Sequence, residues 1–164
     1  MKLQLKGARV ASRTCFAALP PHVSDAQLDS LCASAGVALE VTWMSGEWQA
    51  ADSAQQQQQQ PRSVLVTWAG GSSARNDTLE LSHSLCDAIG LRDGAELTVT
   101  LRRNVPTVSR MFVEPLSPDD WEVIQLHAGL LEDQVLNQVR AVSEGMTLPL
   151  WISDSSMVKS RHCP

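Results

Sequence analysis

Val113–Ala128, VEPLSPDDWEVIQLHA, reads as the end of a strand feeding a helix. Ser117 is placed to accept from the amide of Asp120. Pro118 suits the first helical position, where its missing N–H would have had no partner, and Asp119 and Asp120 sit at the positive end of the helix dipole. Apolar residues then recur at Trp121, Ile124, Ala128, Leu131, Val135 and Val139, a spacing that turns one stripe toward a core. Gly129 is the expected point at which this run bends.

Upstream, Leu3 and Leu5 alternate with polar neighbours, Gly7 interrupts them, and Ala8 to Phe16 continues extended, the pattern of a first strand pair. Ser24 and Gln27 have capping-box spacing before Leu28, Leu31 and Cys32, and Gly36 closes that short helix. Val37, Leu39, Val41 and Trp43 alternate, as do Val64, Val66 and Trp68, which predicts two more strands. Between them, 53–61 carries the run Gln55 to Gln60 closed by Pro61. It has no apolar surface to bury and is expected as a mobile loop insertion, which a fold tolerates because closure entropy grows slowly with length. Asp77 and Thr78 are expected to cap a second helix with Leu81, Leu85, Ala88 and Ile89 on one face and Gly90 as its left-handed exit. Leu91 to Gly94 then turns the chain into a strand alternating at Leu97, Val99 and Leu101.

The 164 residues, 43% of them apolar, are enough to bury a sizeable core. The net charge of -5 disfavours nonspecific binding to nucleic acid, which needs a positive face. MKLQLKGARV is too short and too charged for a secretory signal, and no apolar run approaches membrane-spanning length. A soluble, intracellular protein is expected. The cysteines Cys15, Cys32, Cys86 and Cys163 lie far apart without metal-ligand spacing; the first three read as buried thiols, and His162-Cys163 would need distant ligands to hold a metal.

Catalytic patterns are incomplete. Gly70-Gly71-Ser72-Ser73-Ala74 lacks the closing glycine and the partners of a nucleophile elbow, and no Gly-Lys-Ser/Thr triplet closes a phosphate loop. Asp77-Thr78-Leu79 and Asp154-Ser155-Ser156 lack the glycine of an aspartic-protease motif. Asp119 and Asp120, adjacent on a helix, point about 100° apart and do not share a proton. His127 has no second histidine at helical spacing. Arg102, Arg103 and Arg110 cluster where the first half of the chain passes into the second, and Met111 to Val139 contains no Lys or Arg.

VEPLSPDDWEVIQLHA, with LEDQVLNQVRAV at 131–142 and LPLW at 148–151, resembles the N-terminal domain of the peroxisome biogenesis factor 1 family of AAA ATPases. RTCF at 13–16 with Leu19-Pro20, LEVTW at 39–43, VTW at 66–68 and LCDAIGLRDG at 85–94 match it in the same order. The resemblance stops after Trp151, where the family continues with further strands.

That resemblance implies an α+β, mainly β fold. A double-psi β-barrel lobe spans 1–104, a partial C-terminal α/β lobe spans 105–152, and 153–164 is a polar tail. It implies a noncatalytic N-domain that receives an adaptor or substrate protein in the cleft between the lobes, with Arg102, Arg103 and Arg110 as candidate contacts. The whole motor, with its AAA partner subunit, would extract the ubiquitinated import receptor and so serve matrix protein import. The implied location is the cytosol, peripherally at the peroxisomal membrane. No cofactor is implied for this chain; ATP and Mg belong to the ATPase modules of the full family member. Two other readings stay open: a small independent enzyme on a double-psi barrel, and an unstable truncated fragment in which Leu148, Leu150 and Trp151 lie beside an unpaired edge.

Overall fold

Alternation of apolar and polar residues builds most of the architecture. A computed structural model describes residues 2–23, 37–45 and 60–163. Six strands, β1 (Lys2–Val10), β2 (Phe16–Leu19), β3 (Val37–Ser45), β4 (Gln60–Ser72), β5 (Thr78–Ser82) and β6 (Glu96–Arg102), close into a barrel in the order β1-β5-β2-β4-β3-β6. The barrel is mixed: β1–β5 and β2–β4 are parallel and the other pairs antiparallel. Leu39, Val41, Val66, Trp68, Leu79, Leu81, Leu97 and Val99 fill it, all but inaccessible to solvent.

Several expectations need correction here. β1 runs unbroken through Gly7, and β1 and β2 both flank β5 instead of pairing with each other. Gly7 is buried because the barrel packs closely there; a Cβ would lie 3.4 Å from Leu97 Cδ1. Thr78 belongs to β5, so Asp77 and Thr78 cap no helix. The helix α1 (His83–Ile89) begins later, with Ser82 Oγ accepting from the Leu85 amide at 3.2 Å. Leu79 and Leu81 satisfy the strand period while Leu81 and Leu85 satisfy the helical one, which is why the boundary was displaced. Gly90 does end α1 in the left-handed region, at φ 72°. Gln60 and Pro61 pair with Ser45 and Met44 in the β3–β4 ladder, so the 53–61 insertion ends earlier than expected. The remainder of that insertion, the expected helix of 24–36 with Cys32, and Trp48 lie outside the described residues.

A second sheet follows: β7 (Phe112–Pro115), β8 (Thr147–Trp151) and β9 (Met157–Cys163), antiparallel in the order β7-β9-β8. The expected polar tail of 153–164 is therefore overturned. Met157–Cys163 is the middle strand, with Val158 and Ser160 buried and Lys159 and Arg161 exposed. A small polar residue at an inward position hid the alternation. β9 also gives Leu148, Leu150 and Trp151 a strand partner on the edge that was expected to be unpaired.

The helix α2 (Pro118–Gln134) starts as expected: the Asp120 amide donates to Ser117 Oγ at 3.0 Å, with Pro118 in the first turn. The backbone break falls at His127 (φ −121°, ψ 19°), not at Gly129. The expected stripe is buried only at its C-terminal end, where Leu131 and Val139 enter the core, whereas Trp121 is 52% exposed. A 3-10 turn at Val135–Asn137 ends the segment. One continuous apolar cluster joins the barrel to Leu131, Val139, Met146, Leu148, Leu150 and Val158.

Candidate functional site

A cleft of ≈ 310 Å³ opens where the barrel meets the loop that leads into β8. Its barrel wall is Trp43, Arg62, Ser63 and Val64, its floor includes Ala88 and Ile89 of α1, and its far wall is Ser143 to Thr147. Trp43 and Arg62 are Cα partners in the antiparallel β3–β4 ladder, so their side chains share a face, and Trp43 is buried. Arg62 reaches α1: a Cβ on Gly90 would lie 3.2 Å from Arg62 Nη1. The last turn of α1 has no basic residue of its own, and a guanidinium at a helix C-terminus is held by the negative end of the dipole.

The opposite wall is pinned on both sides. Ser143 Oγ accepts from the Leu65 amide at 2.8 Å, tying it to the barrel. Gly145, left-handed at φ 69°, donates to the His162 carbonyl at 3.1 Å, and the His162 amide donates to the Met146 carbonyl at 2.9 Å. Arg62 and Glu144 are the charged residues of the wall. Trp43 contributes an indole Nε1–H that is buried without an acceptor among the described residues. An orphaned donor of this kind is costly. Arg62 is the group with which the cleft meets a small polar or acidic segment.

The arginines singled out in the sequence lie elsewhere. Arg102 bonds Glu40 at 2.8 Å, and its hydrogen bond holds the Glu40 carboxyl below the usual carboxylate range. Arg103 and Arg110 are exposed on the connection between β6 and β7, and none of the three lines the cleft. Arg62 was missed because the loop was carried through Pro61; the alternation Arg62, Val64, Val66, Trp68 was the available signal.

The other candidate groups have structural occupations. Burial pushes the Cys15 thiol up to about 12 and the Cys86 thiol up to about 11. Ser73 Oγ donates to the Arg75 carbonyl at 2.6 Å, and Trp68 Nε1 donates to the Gly71 carbonyl at 2.7 Å; Gly70 to Ser72 form the end of β4, and the turn comes only after them. Asp120 accepts from the Ser117 hydroxyl at 2.7 Å and from the Lys159 amide at 3.3 Å. Asp154 pairs with Arg13. His127 is exposed at the kink. Among the described residues no three His, Cys, Asp or Glu side chains gather as metal ligands. The sequence has no Gly-Lys-Ser/Thr triplet of the kind that closes a phosphate loop.

Residues 109–162, which include the far wall of the cleft and the second sheet up to His162 of β9, match the family described as peroxisome biogenesis factor 1, N-terminal. The matched segment and the relatives below support an N-terminal region of that family. The match passes beyond Trp151, where the resemblance was expected to stop, and β9 is the reason. The peroxisomal ATPase PEX1 of Dictyostelium discoideum is 30% identical over 158 residues, covering 90% of this chain and 12% of that protein. The Homo sapiens protein of the same name is 29% identical over 150 residues, covering 90% and 10%. That of Komagataella phaffii is 33% identical over 95 residues, covering 56% and 8%. The chain thus spans about an eighth or less of these relatives. Among the described residues no helix is long and apolar enough to cross a membrane.

Proposed function

We propose that this chain is the noncatalytic recognition end of a peroxisome biogenesis AAA ATPase, and that an adaptor or substrate polypeptide seats in the cleft between Trp43–Arg62 and Ser143–Thr147. The observation that carries this reading is the cleft's composition: a cation, Arg62, in its barrel wall and a far wall fastened to both the barrel and β9. Rigid walls suit recognition because little ordering cost accompanies binding. The closed mixed order of the barrel and its two parallel pairs support a double-psi reading of it. The boundary near Asn104 between the two lobes belongs to the same assignment. ATP and Mg would be bound by ATPase modules outside this chain, which also contact the AAA partner subunit. The motor works from the cytosol at the peroxisomal membrane, extracting ubiquitinated import receptor and so sustaining matrix protein import.

The test places Arg62→Glu in the full ATPase. Receptor should accumulate on the peroxisomal membrane while ATP hydrolysis by the isolated motor stays unchanged. A parallel charge reversal of Arg102, Arg103 and Arg110 addresses the connection. If only that set blocks receptor release, the site moves there; if neither does, the cleft reading is lost.

A further inference from the structure

Along α2, Asp119, Glu122, Leu126, Leu130 and Asp133 follow one another at intervals of three and four residues, the spacing of one helix side, on the two helical segments that meet at the His127 kink. The side facing the protein is carried by Val123, Ile124 and Leu131. Leu126 is 80% exposed and Leu130 44%. Between them Gly129 has open space around it, with nothing within 4 Å of where a Cβ would stand.

Scattered exposed leucines need no explanation, but these two lie between acids of one sign. Met111 to Val139 carries Glu114, Asp119, Asp120, Glu122, Glu132 and Asp133 and no Lys or Arg. Asp120 is occupied by Ser117 and Lys159, whereas Asp119, Glu122 and Asp133 take part in no ion pair among the described residues. The stripe is apolar at its centre and acidic toward both ends, with Gly129 open beside it.

We propose that this side of α2 docks a basic amphipathic helix of a partner protein. Its apolar residues would pack on Leu126 and Leu130 over Gly129, with Lys or Arg above Asp119, Glu122 and Asp133, the helix-in-groove mode of recognition. A second copy of this chain is a poorer occupant, because a two-fold contact would bring Asp119 and Glu122 of one copy against Asp133 of the other. An anionic lipid surface would repel the same acids.

The test titrates the 164-residue chain with a synthetic Lys/Leu helical peptide of about five turns, leucines at i and i+4. Two control peptides replace Lys by Glu, or Leu by Ser. The basic amphipathic peptide should bind and both controls should not. Leu126→Asp with Leu130→Asp should weaken binding about tenfold or more. Asp119→Asn, Glu122→Gln and Asp133→Asn together should weaken it and flatten its salt dependence, while Arg62→Glu in the cleft changes nothing. This neutralised variant keeps the test decisive should the leucine variant lose its circular-dichroism signature. Unchanged affinity in either variant, equal binding of the Ser-substituted peptide, capture by anionic vesicles, or a self-associated form that Leu126→Asp dissociates would each overturn the proposal.

Discussion

Gln138 holds Trp151 as a neighbouring strand would: its side-chain Nε2 donates to the Trp151 carbonyl at 2.8 Å, and its Oε1 accepts from the Trp151 amide at 2.8 Å. The Gln138 carbonyl meanwhile accepts from the Cys15 amide at 2.8 Å, so one residue fastens the outer edge of β8 to the barrel. Two residues along that edge, Pro149 has no N–H to leave open, and its carbonyl faces the Cys15 thiol at 3.8 Å. An edge that would otherwise template pairing with another chain is closed by one amide side chain, one proline and one cysteine.

Gln138→Ala removes both bonds to Trp151 and should destabilise the chain by about 1–3 kcal/mol, at roughly 0.5–1.5 kcal/mol each. Urea denaturation gives the loss, and amide exchange should accelerate at Trp151 before the barrel. Protection at Trp151 equal to wild type would show that the amide clamp is not what guards this edge.

Truncation after Ile152 deletes β9 and leaves β7 and β8 without the strand that pairs with both. Leu148 and Leu150, now buried, would lose their cover. The shortened chain is expected to aggregate on expression, with light scattering as the readout. A monomeric, cooperatively unfolding product would contradict the middle-strand role of Met157–Cys163.

Ser117→Ala removes the N-cap acceptor of α2 and should cost about 0.5–2 kcal/mol. Asp120→Ala should cost more than an exposed helix position would, because Asp120 also accepts from the Lys159 amide of β9. Thermal unfolding of the two single variants and the double variant measures their coupling. The two sites share a hydrogen bond, so their effects should not add.

Both buried thiols should be nearly inert to alkylation in the native state, with modification limited by opening of the fold. Their folded values lie above the ordinary 9.0 because burial disfavours the thiolate. Stability from this source is complete below about pH 9 and is lost as pH rises toward about 12 for Cys15. Cys15→Ser should reduce the alkaline slope of a denaturation series while removing a buried apolar contact at neutral pH.

Arg102→Ala should raise the Glu40 carboxyl titration toward its ordinary range, read by carbon-detected NMR. The wild-type carboxyl is depressed chiefly by the Arg102 hydrogen bond, so its contribution to stability is present above the unfolded value and fades as pH falls through the folded one. The pair is half exposed at the arginine, so solvent and salt screen it and the effect on unfolding should be small.

Features written in a few consecutive residues were legible in the sequence. Trp43 and Trp68 announced strands by alternation, Ser117-Pro118-Asp119-Asp120 announced a helix start, and Gly90 announced a left-handed exit. Each depends on backbone preference and the period of side-chain direction, which act over one or two turns. Thr78 was misplaced because both periods fit Leu79, Leu81 and Leu85 over so short a window. The Arg62 cleft was not legible because two of its walls come from segments about eighty residues apart.

By itself, then, the sequence determined the family resemblance, most strands of the barrel and the cap of α2, because those rest on local hydrogen bonding and on the order of words along the chain. Only the tertiary structure decided the closure β1-β5-β2-β4-β3-β6, the central place of β9, the seat of Arg62 against the end of α1 and the clasp of Gln138 on Trp151. Those depend on which distant surfaces meet, and an alternating strand carries the same pattern whichever neighbour it finally pairs with.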